Sequence, residues 1–332
     1  MILQYAFLGS LVADAVSMPV HWYYDVEALD ADYGDIRNYR SPRKHHPDSI
    51  LWRSFYQPLN SHADILHGQQ KHWGKKGVHY HQNLQSGDNT LNLQLAVELY
   101  LHILREGDFN LVKWLERYVE VMLTPGWHKD TYAEEYHRTF FSNYASGKKL
   151  LSCSVSDYHI GALSLVPALL AALEAIDVTE TEENLDAVRS LVGSTHDHPY
   201  SQSASEVLAG ILLHLKKGHD VRESITNFSL NGISAKQLEK FESMDDRAVV
   251  GGKLSTACYL PESLLASLHF TWKYHDDFSN AVFSNARVGG DNCHRGVVVG
   301  SIVGTQMGIP TDLLKDLRVM GKLSNLIDGF PS

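Results

Sequence analysis

Asp291-Asn292-Cys293-His294 gathers a carboxylate, an amide, a thiol and an imidazole on four consecutive residues. Such a set can ligate a divalent cation, position water, or hold a reactive thiolate. A Gly289-Gly290 turn precedes it, where positive φ is free and backbone can approach a ligand closely. An apolar helix is predicted to follow from about Arg295 to Gln306, closed by Gly308-Ile309-Pro310. The run is therefore either a site or an elaborate N-cap. Cys293 stands at the helix start beside His294 and Arg295, which predicts a thiol pKa below the usual value of about 8.5. Asp291 works against that shift, since a nearby carboxylate disfavours a second anion. Cys153 and Cys258, in segments read as apolar helix, are expected to be inert.

The same grammar recurs at Gly87-Asp88-Asn89-Thr90, ahead of a strongly apolar helix over Leu91–Leu104. Asp and Asn are favoured N-caps, yet two polar side chains exceed what one cap needs. Two such junctions can converge on a single site. Asp14 is a third candidate, an acid among apolar neighbours near the C-terminal end of a helix over Leu3–Ser17, where the dipole disfavours negative charge. It needs a hydrogen-bond donor or a cation. His196, in Gly193-Ser194-Thr195-His196-Asp197-His198-Pro199, reads as a buried hydrogen-bonding histidine at a helix junction.

Two helices must carry these groups. Gly296, Gly300 and Gly304 recur at i, i+4, i+8 and share one helix face. Gly9, Ala13 and Ser17 do the same, and the two small-residue faces are expected to pack together. Each interior Gly costs about 1 kcal/mol against Ala, which a very close backbone contact would offset. This packing is expected to bring Asp14, Asp88 and Asp291 into one cleft. Helical patterning covers Leu111–Leu123, Asp130–Tyr144, Gly161–Ile176 (kinked at Pro167), Glu182–Val192, Ser201–Leu215, Pro261–Tyr274 and Asp277–Ala286. Pro261 reads as a first-turn proline. Strand-like alternation is almost absent, and no linker divides the chain, so residues 1–332 are expected to form one all-α domain. Residues 28–86, rich in His, Tyr, Trp, Gly and Pro, read as a loop-rich region over the site. Its histidines, among them His45, His46, His79 and His81, match no metal motif and read as surface or loop residues.

Composition narrows the function. The chain is 44% hydrophobic and 20% charged, enough for a substantial core. With 39 acidic against 29 basic residues the net charge is −10, which argues against a nucleic-acid surface. Three widely spaced cysteines without a CxxC pair suit a reducing compartment, and a cytoplasmic location is expected. The N-terminal apolar run lacks a basic flank and contains Asp14, so it is not read as a signal peptide. No stretch is read as a transmembrane helix.

In this order, the landmarks resemble the ADP-ribosylglycohydrolase family. Gly9 to Trp22 (GSLVADAVSMPVHW) resembles its opening glycine-rich Asp motif, and Gly87–Thr90 its Thr-Asp-Asp-Thr metal motif. Thr195–Pro199 resembles its Thr-His-x-x-Pro junction, and Gly289–Gly304 its Gly-Gly-Asp-Thr-Asp-Thr motif with the glycine helix. His128–Gly147 and Gly289–Gly296 look like the J-type lens crystallin and selenoprotein J branch, in which selenocysteine can stand at the place of Cys293. The resemblance implies an orthogonal helical bundle and a two-metal Mg²⁺ site that activates water against an ADP-ribosyl glycosidic bond. It implies metal ligation by Asp88, Asn89, Thr90, Asp291, Cys293 and His294, with Asp88, Asp291 and Cys293 doing the chemistry. Asp14, His21, Trp22 and His196 would contact a small-molecule or ADP-ribosylated substrate; no organic cofactor is implied. Gly87, Asn89, Cys293 and His294 depart from the motif residues, and His21 stands where an acid is usual. These changes predict weak Mg²⁺ binding, with thiolate and imidazole suiting Zn²⁺ instead. Three functions follow: an ADP-ribosyl-type hydrolase with a degenerate metal site, a thiol or redox enzyme using Cys293, or a catalytically silent crystallin-like protein. The oligomeric state is left open.

Overall fold

A computed structural model describes residues 1–228 and 234–324. Among these residues regular structure is helical, with only isolated β-bridges and no strand. At the centre lie the Leu3–Ser17 helix and the Asn292–Met307 helix, buried along nearly their whole lengths. They touch backbone to backbone. A Cβ at Gly9 would overlap the Gly300 carbonyl, and one at Gly300 would overlap the Gly9 carbonyl. Gly296 lies in tight contact with Ala13, and a Cβ at Gly304 would crowd the Tyr5 carbonyl. The expected small-residue interface is therefore present, and it fixes where both polar helix ends lie.

Other helices wrap this pair. Val166–Ala175 packs on the N-terminal helix, and Leu91–Glu106 packs on Val166–Ala175. Glu262–Lys273 and Phe278–Arg287 cover the glycine helix. Counting the 3₁₀ turn after Ser17, Leu3–Val20 is 18 residues long and apolar enough to cross a membrane, contrary to the sequence reading. Within this fold that stretch is 94% buried by protein.

Several element boundaries differ from expectation for local reasons. Gly161–Ile176 is not one kinked helix: a 3₁₀ turn, Ile160–Leu163, precedes Val166–Ala175. Pro167 sits in the first turn of the second element, where its missing N–H costs nothing. The helix predicted from Asp130 begins at Glu135, leaving Asp130–Glu134 outside it with side chains free to reach the core. Pro261 is the N-cap rather than the first helical residue. Val221–Asn227 and Ala235–Glu242 are short helices that the patterning missed.

The loop-rich region is pinned by its histidines. His46, His79 and His81 are buried, which corrects their reading as surface or loop residues. His46 Nε2 bonds the His21 carbonyl at 2.9 Å, and His79 Nε2 bonds the Pro19 carbonyl at 3.0 Å. Both tie the loops to the segment leaving the N-terminal helix.

Candidate active site

The Gly289-Gly290 turn positions Asp291. Both glycines have positive φ, and a Cβ on either would overlap backbone, of Tyr23 and Thr256 respectively. Trp22 N–H donates to the Gly290 carbonyl at 2.8 Å, and Gly290 N–H donates to the Tyr23 carbonyl at 2.6 Å. The fully buried Arg295 guanidinium donates to the carbonyls of Gly289 and Thr256 and to Asn285 Oδ1. The turn is thus locked from below by a cation and from the side by the His21–Tyr23 segment.

Asp291, with no exposed surface, is the hub of a buried polar chain. Its Oδ1 lies 2.8 Å from His21 Nε2 and 2.6 Å from His294 Nδ1. From His21 the chain continues through Nδ1 to His81 Nε2 at 2.8 Å, then from His81 Nδ1 to Asp130 Oδ1 at 2.6 Å. Asp130 Oδ2 accepts the Leu91 N–H at 2.7 Å, at the start of the Leu91–Glu106 helix. On the other side, His294 Nε2 lies 3.3 Å from Glu134 Oε1 and 2.6 Å from the Asn92 amide nitrogen. If Nε2 carries a proton, the Asn92 amide must turn its oxygen toward it, so ring charge and amide orientation are tied.

Charges alternate along this chain. Burial would raise the Asp291 pKa, but His294 and His21 overcome it and hold the carboxyl well below its usual range. Burial opposes a charged His294, yet Asp291 and Glu134 raise its pKa to about 10. Burial likewise opposes a charged His81, and Asp130 reverses the balance and raises its pKa. His21, between two imidazoles, is lowered to about 3 chiefly by burial. It is neutral and passes a hydrogen to Asp291. The second Asp291 oxygen, Oδ2, is buried without a hydrogen-bond partner, 3.7 Å from His159 Nε2. Cys258 stands beside them. An antiparallel bridge between His159 and Tyr259 carries both residues to this edge, with exposed Tyr158 and Tyr259 rings 5.1 Å apart flanking it.

The other junction is different. Asp14 accepts from Asn89 Nδ2 at 2.9 Å, from Thr90 N–H at 2.9 Å and from Thr90 Oγ1 at 2.7 Å. Burial raises its pKa, partly opposed by these donors. The Asp88 carboxylate does not join Asp14 and Asp291, as the sequence reading expected. It faces Arg318 Nε at 3.1 Å and the Gln85 N–H at 2.8 Å. Trp22 is not exposed for a ligand: it is buried, stacked on His21 at 3.7 Å and packed against Tyr80 and Tyr132. His196 is buried, its Nδ1 2.9 Å from Thr195 Oγ1 and its ring 4.1 Å from Tyr136.

Cys293 overturns the thiolate expectation. It is fully buried, packs with Met18 and Leu84, and directs Sγ at the Asp14 carbonyl. Burial, then Asp14, Asp291 and Asp130, raise its pKa well above the thiol value. Arg295 gives no help, because its guanidinium is spent on Thr256, Gly289 and Asn285. Neither expected partner shares the sulfur's direction, since neighbours at i+1 and i+2 on a helix do not face the same way. Cys153 and Cys258 lie outside regular helices; Cys153 is buried as expected and Cys258 only partly so, at the Asp291 edge, and burial raises the pKa of both thiols.

The residues present do not fit a Mg²⁺ pair. Such a pair needs several carboxylate and hydroxyl oxygens free to converge. Here Asp88 points to Arg318, the Thr90 hydroxyl serves Asp14, and an apolar Met18–Leu84–Cys293 contact fills the space behind the motif. Only Asp291 Oδ2 remains a buried carboxylate oxygen without a partner among the motif residues. His81, Asp130, Glu134, Asn92, His159 and Cys258 complete the site, and the sequence reading assigned none of them to it. The one signal was the quoted run around Asp130 and Glu134, whose two acids, four residues apart, precede a helix.

Comparisons with known proteins agree with this architecture. A solved structure titled an ADP-ribosylglycohydrolase-related protein complex superposes with a TM-score of 0.64 at 19% identity, covering 98% of this chain and 95% of that one. Crystallin J1A of Tripedalia cystophora is 22% identical over 318 residues, spanning 91% of this chain and 87% of its own length. The family model described as ADP-ribosylglycohydrolase matches residues 3–330, and the chain belongs to that family.

Proposed function

We propose that this protein is a hydrolase that cleaves an ADP-ribosyl or related nucleotide-sugar glycosidic bond from Asp291, without the family's Mg²⁺ pair. One observation carries the reading: Asp291 is held anionic by two imidazoles while its Oδ2 stays unpartnered. Glycosidic cleavage develops positive charge on the sugar, and a fixed carboxylate stabilises that charge or aligns the incoming water. A carboxyl held this far below its usual pKa is a weak base, so its role is electrostatic and positional. His21 and His294 are positioning residues, orienting Oδ1 so that Oδ2 faces the His159–Cys258 edge. The Tyr158 and Tyr259 rings offer flat apolar faces to a nucleobase at that edge.

The test is release of ADP-ribose from arginine- and serine-linked ADP-ribosyl peptides, and of sugar from nucleotide sugars, with no Mg²⁺ added. Turnover by the wild type and its loss in folded Asp291→Asn are expected. Turnover that survives Asp291→Asn would overturn the assignment.

The second reading, a silent crystallin-like scaffold, is favoured by burial. Asp291 has no exposed surface, and Asp14 is fully satisfied within the protein. Absence of turnover by the wild type on all these substrates would decide for it.

A further inference from the structure

The His21–His81 contact has an unusual demand for hydrogens. Each ring turns its outer nitrogen to a carboxylate: His21 Nε2 to Asp291 at 2.8 Å, His81 Nδ1 to Asp130 at 2.6 Å. An ionised carboxylate only accepts, so both outer nitrogens carry hydrogen. The inner nitrogens, His21 Nδ1 and His81 Nε2, nevertheless sit 2.8 Å apart in coplanar rings. Two lone pairs cannot face each other at that distance, so one further proton lies between them. A ligand atom of Cys293 lies within 4.8 Å of both imidazoles, and all three residues are buried. Two imidazole lone pairs and a sulfur therefore converge on a point now served by protons.

We propose that this point is a buried binding site for a borderline divalent ion of the Zn²⁺ class, with His21 Nδ1, His81 Nε2 and Cys293 Sγ as its three protein ligands and water in the fourth position. The exchange balances: M²⁺ enters, the inner imidazole proton and the thiol proton leave, and the S–H bond to the Asp14 carbonyl is given up. The formal charge of the cluster is +1 before and after, so the ion adds no net buried charge to a site where extra charge is costly. Asp291 and Asp130 already occupy the outer positions of carboxylate–histidine–metal triads, fixing the tautomer that metal ligation needs. Nitrogen and sulfur donors select Zn²⁺ over Mg²⁺. Ligand bonds of about 2.0–2.3 Å in tetrahedral geometry require the rings to part by roughly 0.5 Å.

The neighbouring group of His159, Cys258 and Asp291 does not offer the same site. Gly161 N–H donates to His159 Nδ1 at 2.8 Å, so the neutral ring carries its hydrogen on Nε2, the nitrogen facing Asp291. That nitrogen has no lone pair to give.

The proposal stands apart from the hydrolase reading and is tested without an activity assay. Full-length protein stripped of metal is titrated with Zn²⁺ in weak buffer at neutral pH, and with Co²⁺ under reducing conditions. One equivalent of Zn²⁺ bound with release of about two protons is expected. Co²⁺ should give a thiolate charge-transfer band that survives Cys258→Ser and Cys153→Ser and disappears in Cys293→Ser. If Cys293→Ser does not fold, proton release by the wild type still decides the matter. Binding without proton release, a cobalt band that depends on Cys258, or no binding at all would overturn the proposal.

Discussion

The two glycine–polar–helix junctions look alike in sequence and do opposite things. At Gly87–Thr90 Asn89 and Thr90 donate to Asp14, Asp88 turns outward to Arg318, and the acceptor left over, Asn89 Oδ1, is a neutral amide oxygen. At Gly289–His294 the polar side chains reach far across the chain, to His21 and Glu134, and one oxygen of Asp291 is left over. The first junction ties a buried acid into the fold. The second is a charge centre. An N-cap signature does not announce a site, and neither does an unmatched buried amide; an unmatched buried carboxylate oxygen does.

The largest effect expected from this contrast is at Asp291. Asp291→Asn leaves the fully buried His294 charge with Glu134 alone, and removing one partner of a buried pair costs about 3–5 kcal/mol. Chemical denaturation should show that loss, together with loss of any glycosidic turnover. Stability equal to wild type would mean that the buried chain carries no charge.

Acid comes next. His21, His46 and His137 are lowered to about 3, 4 and 4, in each case first by burial. The unfolded chain takes up protons below about pH 6.5 that the folded chain refuses. Their contribution is therefore present above pH 6.5 and lost as pH falls toward 4. His294 runs the other way: raised to about 10, its contribution is full below pH 6.5 and lost as pH rises through about 10. Melting temperature against pH should fall on both flanks, more steeply on the acid side. Asp291→Asn should flatten the alkaline flank and also remove the stability that the depressed Asp291 carboxyl loses only in strong acid; an alkaline loss unchanged in that variant would refute the pairing.

Packing follows. Gly300→Ala drives a Cβ into the Gly9 carbonyl, an overpacking that costs about 1–3 kcal/mol or more. Gly107→Ala, at a helix end with open space and positive φ, should cost about 1 kcal/mol. Equal costs in urea melts would show that the central helices have room to shift.

The smallest effect is at Asp88. Its pair with Arg318 lies at the surface, so Asp88→Asn should cost less than about 1 kcal/mol and leave any turnover intact. A turnover defect would return Asp88 to the site.

Much of this was legible in the chain because it is written at helical spacing. The Gly9 and Gly300 faces announced the central pair, and the motifs announced Asp14, Asp291 and His294. His81, Asp130, Glu134 and His159 were not legible. Each gains its role from residues far off in sequence, and His81 lies in a loop whose pattern carries no period. Cys293 misled because sequence adjacency to His294 and Arg295 was mistaken for spatial adjacency; the helix points them elsewhere.

Protein partners occupy the motif residues where a Mg²⁺ pair would need free oxygens, and leave Asp291 Oδ2 as the buried carboxylate oxygen without a partner among them. Calorimetric titration of the purified protein with Mg²⁺ tests this most directly. No saturable heat in the millimolar range, in wild type and Asp291→Asn alike, is the predicted result. Tight Mg²⁺ binding in the wild type that disappears in Asp291→Asn would contradict it.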